Sequence, residues 1–230
     1  MPEPDFAHVK TGLKVVLWGV VVYLTAVVIV LVFGGHPTID KSAGIIGSVA
    51  LFLMAVGQIL SHKVPSSMPG SSLVLGAIAC TVSAMLISIS LFFWDPKAAF
   101  GNVLAARGMI LLGSLLFMAG DIQFNFFLKY LAQYVRDNQN ASRAGALITL
   151  KAVTLLMVLV AVILIFSVEG TALLAGVLLF LTLIIWVLIV FQYMALLSGL
   201  SYSLAGASRR SFDPEVPEEV ESENPFDDFQ

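Results

Sequence analysis

The chain is 230 residues long, 59% apolar and only 12% charged, with a mean hydropathy of +0.97. A soluble globular domain carries about 25% charged residues, so these proportions exclude a soluble enzyme and a disordered chain; the absence of a basic face excludes a partner made of nucleic acid. A single cysteine, Cys80, excludes an intramolecular disulfide framework and a cysteine-based metal cluster, and no cofactor or metal is expected.

A membrane helix needs about 20 mostly apolar residues. After an N-terminal segment, 1–14, apolar runs fall at 15–33 (uncharged), 44–60, 71–94, 108–128, 152–168 and 171–197. They are continuously apolar rather than alternating, so they read as helices and not as barrel strands. The first run is too long for a signal peptide, and no A-x-A site follows it. The expected fold is an all-α integral membrane protein: a six-helix transmembrane bundle over 15–208 and a disordered acidic tail over 209–230.

Orientation follows the lysines and arginines of short loops. With the N-terminus inside, nine fall on the inner side (Lys10, Lys14, Lys63, Lys129, Arg136, Arg143, Lys151, Arg209, Arg210) and three outside (Lys41, Lys97, Arg107). Both termini are therefore expected to be cytoplasmic. Asn140-Ala141-Ser142 matches a glycosylation sequon, but in an inner loop it is a chance tripeptide.

A charged residue within hydrocarbon costs about 2.5–3.5 kcal/mol on insertion scales and needs a reason to be there. Asp121 is the one acid inside an apolar run, and Arg107, Ser114, Asp121, Asn125, Lys129 and Arg136 share one face of the fourth helix at 100° per residue. Lys129 is placed to fold back toward Asn125 and Asp121, and Gln58 and Gln192 on the second and sixth helices are candidates for hydrogen bonds across the bundle. The small residues Gly44, Gly47, Gly76 and Cys80 allow close helix approach. This polar face reads either as a clamp fixing helix register or as a proton or cation relay.

No set of nucleophile and base is found. Met118-Ala119-Gly120-Asp121 lacks the first glycine and the second acid of an intramembrane aspartyl protease, and Gly199-Leu200-Ser201-Tyr202-Ser203 completes no hydrolase motif. These point away from an enzyme. Residues 129–151 read as the longest inner connection, with a first part suited to the headgroup level. The tail, 211–230, holds eight acids and no base; Phe212, Phe226 and Phe229 among them suggest a linear docking segment.

The stretch 124–144, FNFFLKYLAQYVRDNQNASRA, with its aromatic-rich helix end running into a Leu-Ala-Tyr-Arg/Lys segment, resembles uncharacterised multi-pass membrane proteins of planctomycete-type bacteria. The resemblance implies a bacterial inner-membrane setting and no activity. The function expected from the sequence is a non-enzymatic membrane scaffold or assembly component. Its partners would be the lipid bilayer, other membrane subunits, or a cytoplasmic protein held by the tail. The alternative is a small-solute or ion transporter or channel using the polar face of the fourth helix. The net charge of −3 divides into +5 over 1–210 (12 bases, 7 acids) and −8 over 211–230: a cationic membrane body with an anionic tether.

Overall fold

A computed structural model of the protein describes residues 6–33, 37–64, 68–93, 103–167 and 172–210. These form six helices: α1 (Ala7–Phe33), α2 (Pro37–Ser61), α3 (Ser71–Phe93), α4 (Val103–Tyr134), α5 (Asn138–Ser167) and α6 (Ala172–Arg210). Among the described residues there is no strand, and all six helices are long and apolar enough to cross a membrane. The protein is a multi-pass helical membrane protein. The tail, with Phe212, Phe226 and Phe229, lies outside the described residues.

Each helix packs on its neighbours in the chain, and α1 packs on α6. The six therefore close into a ring with no helix at its centre. One face of the ring, here the N-terminal face, is where α1, α3 and α5 begin and α2, α4 and α6 end; the opposite end is the far face.

The tightest contact is between α1 and α2, and it depends on glycines other than those expected. A Cβ on Gly12 would stand 2.5 Å from the Gly57 carbonyl, and one on Gly57 would stand 2.7 Å from the Gly12 carbonyl. Without lipid-excluding hydrophobic attraction to hold membrane helices together, such backbone approach supplies much of their association. Gly57→Leu is expected to cost about 2 kcal/mol or more by overpacking, read as a lowered unfolding temperature in detergent. Gly47→Ala, whose Cβ meets nothing within 4 Å, is expected to be neutral in the same assay. Of the small residues singled out in the sequence, Cys80 does sit at a close contact, against Gly120, and Gly76 faces the Gln123 side chain. Gly44 and Gly47 line a cavity instead.

Every helix but α3 overruns its apolar run, and α5 does so most. The expected long inner connection is in fact three residues, 135–137, between α4 and α5. Arg136 takes the left-handed conformation, φ 58°. Its amide donates to the Gln133 carbonyl (3.1 Å), and the Asp137 amide donates to Ala132 (2.8 Å). This is a Schellman closure of α4. Asp137 then caps α5: its Oδ1 accepts from the Asn140 amide at 3.0 Å. Its Oδ2 accepts from Asn140 Nδ2 (2.7 Å) and from Ser203 Oγ (2.5 Å) on α6. Asp137 thus ties the turn after α4 to the start of α5 and, through Ser203, to α6 at the N-terminal face. Asn140, 5% exposed with its amide nitrogen engaged here, has no room for a glycan.

Burial opposes ionisation of Asp137, but the hydrogen bonds from Ser203 and Asn140 and the nearby Arg143 guanidinium hold its carboxyl below the ordinary carboxylate value. A lowered native pKa means that the tether is fully present above the unfolded value of about 3.9 and is lost as pH falls through the native one. Asp137→Asn is expected to flatten acid unfolding of the detergent-solubilised protein below about pH 4. At neutral pH Asp137→Ala should cost about 1 kcal/mol through the lost cap.

Candidate functional site: a charged floor in a half-hollow bundle

A ring of six helices must fill its own centre, and this one fills only half. The large, fully buried side chains lie toward the N-terminal face: Val9, Leu13 and Val16 of α1, Phe124, Phe127, Leu128 and Leu131 of α4, and Leu196, Leu197, Leu200 and Leu204 of α6. Phe124 and Phe127 stack with centroids 5.6 Å apart. Toward the far face the centre is a cavity of about 610 Å³ to which every helix contributes.

Asp121 and Lys151 line this cavity at the border between its open and filled halves. On α4 the inward stripe runs Phe117, Asp121, Phe124, Asn125, Leu128, at the i, i+4, i+7 spacing of one helix face. On α5 it runs Ala144, Leu147, Lys151, Thr154, Ala161, so that Lys151 takes a position flanked by core residues. Asp121 lies 13 residues before the end of α4 at Tyr134, and Lys151 lies 13 residues after the start of α5 at Asn138. The two helices are antiparallel across a short turn, so the residues meet at equal depth, about 20 Å along either helix from the N-terminal face. Lys151 Nζ donates to Asp121 Oδ2 at 2.5 Å and sits 4.2 Å from the centre of the Tyr193 ring on α6. Asn125 Nδ2 donates to the Asp121 carbonyl at 2.6 Å and is 3.5 Å from its Oδ1.

The Asp121 side chain is 24% exposed and that of Lys151 7%. The carboxylate therefore presents its free edge to the cavity, while the ammonium is enclosed by Asp121 and Tyr193. Around them the walls are mostly apolar, relieved by a few polar groups. Tyr23 of α1 packs against Phe117 (centroids 5.7 Å) and Trp186 (6.4 Å), forming an aromatic corner. Thr154 and Thr182 donate to Leu150 and Leu178 of their own helices, each at 2.8 Å, which leaves their oxygen lone pairs as acceptors.

The residues expected to form one polar site are only partly brought together. Asp121 and Asn125 are joined, and Ser114 lines the same cavity. Lys129 is half-buried a turn past Asn125, and the place at Asp121 for which it was a candidate is taken by Lys151. Gln58 is buried on α2 with its carbonyl oxygen unpartnered, and no hydrogen bond among the described residues joins it to Asp121. Gln192 is exposed: with Tyr193 and Leu196 turned inward, helical geometry sends residue 192 outward. Arg107 is on α4, but its side chain lies outside the described residues. Lys151 itself is no loop residue, and without it the charge asymmetry stands at eight against three. A lysine alone in hydrocarbon is expensive, which makes a loop the expected place for it; the ion pair removes that objection.

Compared with protein-family models, with curated proteins and with solved structures, the chain matches none.

Proposed function

We propose that the protein is a carrier for a small amphiphilic solute, acting by binding and conformational change without chemistry. It lies in the bacterial cytoplasmic membrane with both termini inside, an orientation supported by the eight-to-three distribution of basic residues. The observation that carries this reading is the cavity: about 610 Å³, within the ordinary range of small-ligand sites, intramembrane, contributed by all six helices, and floored by an ion pair. A solute with an apolar body and one charged group matches its walls and floor. By competing for Asp121 or Lys151 the solute weakens the contact between α4 and α5, giving the differential interaction that a change of state requires.

The test is a thermal-shift series with the purified protein in detergent, using primary alkylamines and alkylcarboxylates of graded length. The carrier reading expects a rise in unfolding temperature that depends on both chain length and head-group charge. A flat response throughout both series contradicts it.

A second reading, the scaffold, is favoured by the fact that Asp121 and Lys151 satisfy each other without a ligand. In that case the pair fixes helix register and the tail, through Phe212, Phe226 and Phe229, docks a partner. It expects no solute response and a partner that co-purifies with the full chain but not with one ending at residue 210.

A further inference from the structure

A second hollow, of about 340 Å³, opens between α1 and α6 near the N-terminal face. Lys10 and Lys14, one turn apart on α1, supply one wall; Ser198, Ser201 and Tyr202, spaced i, i+3 and i+4 on α6, supply the other. Two ammonium groups at this spacing repel one another on a bare helix, and neither has an ion-pair partner among the described residues. The hollow thus combines two positive charges, unpaired among the described residues, with three hydroxyl donors. Its deeper part is lined by Leu17 and Leu197, a step further toward the membrane interior along each helix. Tyr202, two turns before the end of α6, is 83% exposed, and tyrosines are enriched where headgroups meet hydrocarbon.

From this geometry we infer that the hollow is a binding site for the phosphate of an anionic phospholipid. The phosphodiester sits between the two ammonium groups and accepts from the α6 hydroxyls, and an acyl chain follows the Leu17–Leu197 wall. Cationic, hydroxyl-bearing chemistry gives way to apolar chemistry along the membrane normal, in the order of a lipid's own headgroup and chain. The inference does not depend on what the central cavity binds, since the two hollows share no residue.

The test is native mass spectrometry of the full chain released from detergent supplemented with phosphatidylglycerol, phosphatidylcholine or inorganic phosphate. Each lysine near an anionic lipid contributes enough for roughly a fivefold change in partition. The wild type is therefore expected to retain phosphatidylglycerol over phosphatidylcholine by about 25-fold. Lys10→Gln/Lys14→Gln should lose that preference, and Lys10→Arg/Lys14→Arg should keep it. Equal retention of the two lipids by the wild type, or an undiminished preference in the Gln variant, overturns the site. Displacement of phosphatidylglycerol by millimolar inorganic phosphate overturns the lipid as its occupant.

Discussion

Neutralising one member of the central ion pair is expected to destabilise the bundle by about 3 kcal/mol, because it strands the other charge inside the membrane. The two single variants should not be equal. Asp121→Asn leaves an ammonium that is only 7% exposed, with the Tyr193 ring as its remaining partner. Lys151→Met leaves a carboxylate that is 24% exposed to the cavity and lies close to Asn125 Nδ2, so Asp121→Asn should be the more damaging. The double variant removes both charges together and should recover to within about 1 kcal/mol of the wild type, since a buried pair is commonly replaceable by uncharged groups of similar volume. Reversible unfolding in mixed micelles, arranged as a double-mutant cycle, measures the coupling. Additive single costs would mean that the two groups do not act on each other.

A single substitution can fill the cavity. Gly47 lines it, and a Cβ there meets nothing within 4 Å, so Gly47→Trp has empty space to enter. An indole in that space should leave the unfolding temperature near that of the wild type while abolishing the response to alkylamines or alkylcarboxylates. If Gly47→Trp responds as the wild type does, the solute binds elsewhere. If it fails to fold, the less bulky Gly47→Leu makes the same test by shortening the longest ligand accepted.

The spans were legible in the sequence because apolar runs report on hydrocarbon directly. Both α3, Ser71–Phe93, and the far end of α1 at Phe33 fall within a residue of the apolar runs. The ends of α1, α4, α5 and α6 at the N-terminal face were not legible. There the helices continue through the interface on residues such as Gln133 and Asn138, which water and headgroups solvate, and hydropathy stops reporting before helicity does. Lys151 was missed for a related reason: taken singly, its charge marks a boundary, and its partner is 30 residues away. The recoverable signal was the polar turn itself. Asp137-Asn138-Gln139-Asn140 offers a helix cap; once a turn is placed there, Asp121 and Lys151 stand equidistant from it on antiparallel helices. The cavity had no sequence signal, since it arises from ring closure between α1 and α6 and from the size of side chains that face one another only in three dimensions.

The bundle is hollow on one side of the Asp121–Lys151 pair and filled on the other. The most direct test of this is thiol accessibility in intact proteoliposomes, in a Cys80→Ser background, with a charged, membrane-impermeant methanethiosulfonate. Gly47→Cys and Thr154→Cys, in the hollow half, are predicted to react when reagent is applied from the far face, and Leu128→Cys and Leu200→Cys, in the filled half, to stay unmodified from either face. Protection of all four positions would mean that the far half is not hollow to water, and modification of 128 and 200 as fast as 47 and 154 would mean that the other half is not filled.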